Sequence, residues 1–81
     1  MEDIKRIKKV LEEKLGEDLY ANIDEIDEEE DLVNIGVDSL NVIKLIVGIE
    51  EEFNIHFQDT DIQGKSWKNL KTISNLIKER K

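Results

Sequence analysis

Apolar residues recur every three to four positions in three separate stretches of this chain, which is the spacing of helices that each bury one face. The middle stretch, 39–53, is the most regular. At about 100° per residue, its largest apolar side chains fall on a stripe roughly 100° wide, which predicts a helix of about four turns with one core face. The residues of that face are Val42, Leu45, Ile46, Ile49 and Phe53.

The same helix has a second, smaller apolar stripe on nearly the opposite side. Leu40 and Val47 lie there beside Lys44 and Glu51, with Ile43 at the edge. Because one helix of a small domain has one face for the core, this outer face predicts one of two things. It is either a docking surface for a partner, or ordinary apolar surface that is exposed or covered by a neighbouring segment.

The flanking stretches predict two more long helices. The first spans Asp3–Leu15 and is capped by its own first residue. The last begins after a cap at Ser66 or Asn69 and runs to about Glu79, and we expect Trp67 to anchor its start against the core. The predicted core positions are Ile4, Ile7, Leu11 and Leu15 in the first helix, with Val10 at the edge, and Leu70, Ile73, Leu76 and Ile77 in the last.

The connection from Gly16 to Val37 is long for a compact domain, and its run from Asp24 to Asp31 is strongly acidic. Gly16 is a suitable residue to end the first helix. An acidic run of this kind is typical of a solvated loop. A connection of this length must be held against the core, so we expect its apolar side chains to act as anchors. These are Leu19, Ile23, Ile26, Leu32, Val33, Ile35 and Val37.

The segment between the middle and last helices is short and mixed. Asn54–Phe57 is the one strand candidate, and a short helix or turn is predicted around Thr60–Gln63. The stretch 59–64 opens like a calcium-binding loop. However, Gln63 takes its fifth position and Leu70 its twelfth, where a bidentate glutamate belongs. We therefore predict no metal site.

Composition restricts the class of protein. Its 81 residues suit one small domain, and three long helices, one short helix and a long first loop predict an all-α, four-helix bundle. The chain has no cysteine, so disulfides, thiolate metal ligands and thiol nucleophiles are excluded, and a thiol can come only from an added group. With no apolar run long enough to span a membrane and no signal-peptide pattern, we expect a cytoplasmic monomer.

The net charge of −8, from 20 acidic and 12 basic residues, argues against nucleic acid as a partner, since phosphate binding needs clustered lysine and arginine. It favours partners with basic surfaces, reached by electrostatic steering that salt weakens. A charge of this size also serves solubility alone in many acidic proteins.

The start of the middle helix suits a bound anion. Asp38 or Ser39 can act as the N-cap, and Gly36 allows a tight approach of the preceding chain. First-turn amides and the positive end of the helix dipole favour a negative group such as a phosphodiester. A serine in this position, taken alone, is most often only a cap.

The wider pattern around Ser39 resembles the acyl carrier protein family. The resemblance rests on Asp38-Ser39-Leu40, preceded by Ile35-Gly36-Val37 and followed by Leu45 and by Ile49-Glu50-Glu51-Glu52-Phe53. The close match covers the 18 residues of 36–53. The order and spacing of the predicted helices extend the resemblance loosely over the whole chain, so that 1–81 would form a single acyl or peptidyl carrier domain. It implies an acyl-carrier-like bundle with 4'-phosphopantetheine attached, from coenzyme A, to Ser39.

The function that this resemblance implies is carriage. A phosphopantetheinyl transferase would attach the arm, whose terminal thiol holds acyl groups as thioesters for enzymes of fatty-acid, polyketide or related biosynthesis. Asp38 would help to orient the transferase or its metal ion. Acyl-loading and acyl-processing enzymes with basic docking surfaces would bind a recognition face formed by Leu40, Ile43, Lys44, Val47 and Glu51.

Two residues depart from the fatty-acid carriers. Lys44 and Asn41 stand where those proteins usually have acidic residues, so the recognition face is less acidic than the chain as a whole. The region of Trp67 is closer to D-alanyl or peptidyl carrier domains. We therefore expect a specialised stand-alone carrier, with a D-alanyl or peptidyl (aminoacyl) carrier as the alternative. A non-carrying acidic helical interaction module is the competing class.

Ser39 and the single histidine, His56, also invite interpretation as a hydrolase. No Gly-x-Ser-x-Gly turn surrounds Ser39, and a capping serine has no evident base or oxyanion hole. A small bundle also offers little room for a substrate pocket. His56 is expected in a loop or at an edge, and we predict that the chain is not an enzyme.

Overall fold

The computed structural model describes residues 2–20, 22–63 and 65–80. It contains the predicted all-α fold, with three long helices, one short helix and a long first loop. The helices are α1 (Glu2–Leu15), α2 (Ser39–Phe53), α3 (Asp59–Gln63) and α4 (Leu70–Arg80), and short 3-10 turns lie at Gly16–Asp18, Ile23–Glu25, Leu32–Ile35 and Lys65–Trp67.

The described residues contain no strand, so the strand candidate at Asn54–Phe57 is wrong. Asn54 instead ends α2 in the left-handed conformation, with φ of 55°, and its N–H donates to the carbonyl of Glu50. This local hydrogen bond turns the chain away from the helix axis. Among the described helices, none is long and apolar enough to cross a membrane.

Helix α1 buries the predicted stripe, and Val10, expected at its edge, is fully inside the core. Asp3 lies within the helix rather than at its cap, because α1 already begins at Glu2. The helix ends at Leu15 as expected, and Gly16 continues into a 3-10 turn. The carboxyl end of α1 therefore leads directly into the long loop.

Close contact between α1 and α2 forms the centre of the bundle. A Cβ atom added to Gly48 would lie 2.7 Å from Cγ1 of Val10, so the two helices approach closely at this point. Nearer the start of α1, Arg6 donates from Nη2 to the carbonyl of Glu52 at 2.7 Å, and its guanidinium lies 4.1 Å from the centre of the Phe53 ring. Early α1 thus pairs with late α2, and the helices run antiparallel.

The corner between α3 and α4 is held by buried polar contacts. Trp67 is buried as predicted, and its Nε1 donates to the carbonyl of Asp61 at 2.9 Å. The buried Asp61 carboxylate accepts two hydrogen bonds from Arg80, one of them from Nε at 2.7 Å. Asn69 rather than Ser66 caps α4, since its Oδ1 accepts from the Thr72 N–H at 2.8 Å.

The long loop is anchored at nearly all the predicted positions. Leu19 is partly buried and packs against the core. Val33 is the one predicted anchor that is exposed instead of buried. Val33 is exposed because the 3-10 turn that contains it points Leu32 and Ile35 inward instead. The remaining anchors, Ile23, Ile26 and Val37, are buried. The loop is also tied to the chain before α4, where Leu32 N–H donates to the Lys68 carbonyl at 2.8 Å.

Candidate functional site

The head of α2 is capped by Asp38. Its Oδ1 accepts the N–H groups of Leu40 at 3.1 Å and Asn41 at 2.9 Å. Ser39 is therefore the first residue of the helix, not its cap, and its side chain is exposed. Two of the amides predicted to be available for an anion are occupied by the Asp38 carboxylate, which corrects that expectation.

The turn that precedes Ser39 is held in place from both sides. Gly36 has φ of 107°, and a Cβ atom there would lie 2.5 Å from the carbonyl oxygen of Asp18, so a side chain has no room. On the other side, Asn41 donates from Nδ2 to the Gly36 carbonyl at 3.2 Å. The tight approach predicted at Gly36 is confirmed, whereas the role of Asn41 in holding this turn was not predicted.

An open groove of about 720 Å³ lies beside Ser39, between the segment after α1 and the first two turns of α2. We call it the loop groove. Tyr20, which is 83% exposed, stands in one wall. Tyr20 was not among the predicted site residues, although it is the single tyrosine of the chain and closely follows Glu17 and Asp18. The other lining side chains that matter here are Glu17, Asp18, Asp38, Leu40, Asn41, Ile43 and Lys44.

The predicted outer face of α2 lies at the surface. Leu40 is 77% exposed, and Ile43 and Val47 are about half exposed. The alternative in which a neighbouring segment covers this face is therefore wrong. Lys44 and Glu51 are also exposed, and Glu51 Oε2 lies 3.8 Å from Nζ of Lys14 on α1. The face thus combines apolar side chains with both signs of charge.

The structure does not bring Ser39 and His56 together. His56 is exposed in the segment after α2, in a loop as predicted, with its Nδ1 3.8 Å from Oε2 of Glu50. Ser39 opens the 15-residue α2, so the full length of the helix, roughly 20 Å, separates them. The described residues also contain no group of three or more side chains arranged to hold a metal ion.

Comparison with known families decides the class of protein. Residues 5–78 match the family model described as a phosphopantetheine attachment site. The chain belongs to the phosphopantetheine-binding carrier proteins. Members of this family carry a covalently attached 4'-phosphopantetheine arm and are generally not catalytic, so this chain is a carrier protein that bears such an arm.

Individual relatives include both acyl and aminoacyl carriers. The chain is 37% identical over 65 residues to an aminoacyl carrier protein of Agrobacterium fabrum, covering 80% of this chain and 77% of that protein. It is also 37% identical over 69 residues to an acyl carrier protein of Wolinella succinogenes, covering 84% of each.

A solved structure is similar over nearly the whole chain. It contains a carrier protein from Agrobacterium tumefaciens in complex with an engineered Bradyrhizobium japonicum glycine:[carrier protein] ligase and ATP. The TM-score is 0.85, with 32% sequence identity over 94% of this chain and 96% of that chain. Carrier proteins of this fold therefore bind enzymes as partners.

The head of α2 fits the prosthetic group of the family. Ser39 presents an exposed hydroxyl at the first helical residue. Asp38 alone provides the cap, so modification of Ser39 removes no capping interaction. The groove beside it leaves room for an attached chain. These residues can therefore accept the group without disturbing the helix.

Proposed function

We propose that Ser39 is the residue that holds the phosphopantetheine arm. The observation that supports this most directly is its exposed hydroxyl at the start of a helix whose cap is provided by its neighbour Asp38. In the attachment reaction, the Ser39 oxygen forms a bond to the phosphorus of the phosphopantetheinyl group, and the hydroxyl proton passes to the transferase. Adenosine 3',5'-bisphosphate leaves coenzyme A, and the product is a phosphodiester.

The arm supplies the thiol that this cysteine-free chain lacks, and that thiol holds acyl or aminoacyl groups as thioesters. The chain's own part is to present the arm. Tethering turns the encounter of a dilute substrate with several enzymes into a local one, which raises its effective concentration. On this view the chain performs no bond-making itself.

We also propose that the outer face of α2 is the surface that partner enzymes bind. Leu40, Ile43 and Val47 place an exposed apolar strip beside Ser39, and strips of this kind commonly mark docking sites. Lys44 and Glu51 add charges that can select among partners. The phosphopantetheinyl transferase and the enzymes that load and use the acyl group would all bind this face. Basic docking surfaces on these enzymes would also complement the net negative charge of the chain.

A specific observation favours the aminoacyl alternative as a second candidate. The relatives include an aminoacyl carrier protein and a carrier protein bound to a glycine ligase. Lys44 also makes the outer face less acidic than in the fatty-acid carriers that the sequence resembles, whereas Asn41, expected to do the same, is buried and bonded to the Gly36 carbonyl. The cargo is therefore either a simple acyl group or an aminoacyl group.

The deciding experiment is the intact mass of the protein before and after incubation with coenzyme A and a broad-specificity phosphopantetheinyl transferase. We expect the chain to gain one phosphopantetheinyl group. Ser39→Ala should gain none and should keep its helical circular dichroism, because the cap at Asp38 is intact. The matched control is Ser66→Ala, which should load like the wild type.

Loading of Ser39→Ala would contradict the assignment of the site. A folded wild-type chain that gains no mass, beside a carrier that the same transferase loads, would favour the non-carrying interaction module instead.

A further inference from the structure

A second, smaller groove lies on the outer face of α2, beside the last turn of α1. We call it the helix groove. It is lined by Ile43, Lys44 and Val47 of α2 and by Lys14 of α1, and its volume is about 270 Å³. This volume is just below the range of about 300–1,000 Å³ that is typical of sites for small molecules. The groove therefore suits a single side chain of a bound protein better than a separate ligand.

The helix groove offers apolar surface that the core does not use. Ile43 and Val47 are each about half exposed. An apolar side chain placed between them would remove this surface from water, which favours association. Apolar or aromatic anchors that fill a pocket in this way contribute most of the binding energy in many protein interfaces.

Gly48 allows Lys14 to reach the groove. A Cβ atom at Gly48 would lie 3.1 Å from Cγ of Lys14 and 3.5 Å from its Cε, so the Lys14 stem lies against the bare backbone of α2. A lysine whose stem is packed in this way keeps its ammonium group in water at the edge of the contact. The missing side chain at Gly48 thus brings a cation from α1 to the outer face of α2.

The two lysines make the groove positive. Among the described residues, its lining contains no carboxylate. Glu51 lies 3.8 Å from Lys14, but both side chains are exposed, and such pairs are weak. Lys44 is exposed and forms no ion pair with any residue that the structure describes. It also lines the loop groove, where three carboxylates lie but none pairs with it: Glu17, Asp18 and Asp38.

The net charge of −8 does not decide which charge a partner presents at this groove. Exposed charges separated by more than about 8 Å are largely screened at physiological ionic strength, so the charge of the whole chain acts mainly on the approach of a partner. At contact distance, the two lysines are the nearest charges. A carboxylate there gains a partner in Lys44, whereas a basic residue faces two like charges.

We propose that the helix groove binds an enzyme surface that presents one apolar side chain with a carboxylate beside it. The apolar side chain fills the space between Ile43 and Val47, and the carboxylate pairs with Lys44. This inference rests on the proposed function, in which partner enzymes bind the outer face of α2, and it names the chemistry that fits there. The charge at the contact is thus opposite to the basic docking surfaces expected from the acidity of the whole chain.

The test uses two synthetic amphipathic helical peptides with the same leucine stripe, flanked by glutamates in one and by lysines in the other. Backbone amide shifts of the unmodified full chain locate each peptide, and titration gives its Kd. We expect the glutamate peptide to shift the amides at 14 and 43–48. Its Kd should rise about threefold for Lys44→Gln and about tenfold for Lys44→Glu, because these variants remove and then reverse one exposed ion pair.

The matched control is Lys78→Glu, which makes the same change of charge at an exposed position on α4. It should alter the Kd of the glutamate peptide less than about twofold, since screening limits the effect of a distant charge. The lysine peptide should bind Lys44→Glu more tightly than the wild type.

A glutamate peptide that leaves the amides at 43–48 unshifted, or that binds Lys44→Glu as tightly as the wild type, would overturn the inference. If Ile43→Ser/Val47→Ser still slows phosphopantetheinyl transfer, the outer face remains the docking surface and only its proposed chemistry is wrong. Unchanged transfer in that double variant together with either peptide result would overturn both.

Discussion

Asp38 and Ser39 have separate tasks at the head of α2. The Asp38 carboxylate binds the amides of Leu40 and Asn41 and so holds the first turn. Ser39 therefore does not cap the helix, and its side chain is exposed. A residue that must accept a large covalent group benefits from this arrangement, because the modification does not remove a contact on which the helix depends.

Gly36 should be the least tolerant glycine among those that the structure describes near this site. Its φ of 107° and the 2.5 Å approach to the Asp18 carbonyl oppose any side chain. We expect Gly36→Ala to lower the free energy of unfolding by about 1–3 kcal/mol, measured by urea denaturation. The matched control is Gly16→Ala, where nothing lies within 4 Å of an added Cβ and φ is not positive. An equal effect of the two substitutions would contradict this account.

At the scale of the element, α2 has two faces with different environments. Leu45, Ile46 and Ile49 are buried in the core, while Leu40, Ile43 and Val47 face outward. Substitution on the two faces should therefore have different consequences. Changes to the inner face affect folding, and changes to the outer face affect encounters with other proteins.

We expect Ile43→Ser/Val47→Ser to lower kcat/KM for phosphopantetheinyl transfer about tenfold, a loss of about 1.4 kcal/mol of transition-state stabilisation. Circular dichroism should be unchanged, because both side chains are about half exposed. Val33→Ser is the control, since Val33 is an exposed apolar residue that lies outside α2, in the 3-10 turn Leu32–Ile35. Unchanged transfer kinetics in the double variant would exclude the outer face as the surface that the transferase binds.

The link between α3 and α4 depends on the ion pair of Asp61 and Arg80. Hydrogen bonds from Arg80, and then from the Gln58 N–H, lower the pKa of Asp61 from 3.8 to about 2. A carboxylate whose pKa is lower in the folded state stabilises the fold above its unfolded pKa, and this stabilisation is lost as pH falls through the folded pKa. The contribution of Asp61 is therefore complete above about pH 4 and declines towards pH 2.

Asp61→Asn should accordingly melt at a lower temperature than the wild type at neutral pH, and the difference should diminish as pH falls from about 4 towards 2. Thermal melts followed by circular dichroism across this range provide the measurement. Asp59→Asn removes an exposed carboxylate from the same short helix and should leave the melting temperature close to that of the wild type. A difference between Asp61→Asn and the wild type that is independent of pH would show that the ion pair is not its cause.

At the scale of the whole molecule, the net charge of −8 acts on stability as well as on partners. Excess charge of one sign destabilises a compact chain through self-repulsion, and salt screens that repulsion. The acidic run at 24–31 is exposed along most of its length, which concentrates the effect on one loop.

We therefore expect the melting temperature at neutral pH to rise when NaCl is increased from low to physiological concentration. The same addition should have little effect near the isoelectric point, where the net charge is close to zero. A melting temperature that falls with salt at neutral pH would mean that attractive ion pairs outweigh the repulsion.

Much of the local structure could be predicted from the residue pattern. Helical spacing predicted the three long helices and their buried faces, since burial of an apolar stripe requires that spacing. The predictions that were wrong depended on details of packing. Val33 is apolar but faces solvent because its 3-10 turn points Leu32 and Ile35 inward, and Asn54–Phe57 leaves α2 through a left-handed residue instead of forming a strand.

The site was predictable only in part, because part of it depends on packing between segments that are distant in the chain. The sequence by itself determined the capped start of α2, the position of Ser39 and the two faces of that helix, because each depends on residues within a few positions of one another. The loop groove, the contact of Gly36 with Asp18 and the ion pair of Asp61 with Arg80 join segments distant in the chain. Only the tertiary structure decided these, because such contacts depend on how the helices and the long loop pack together.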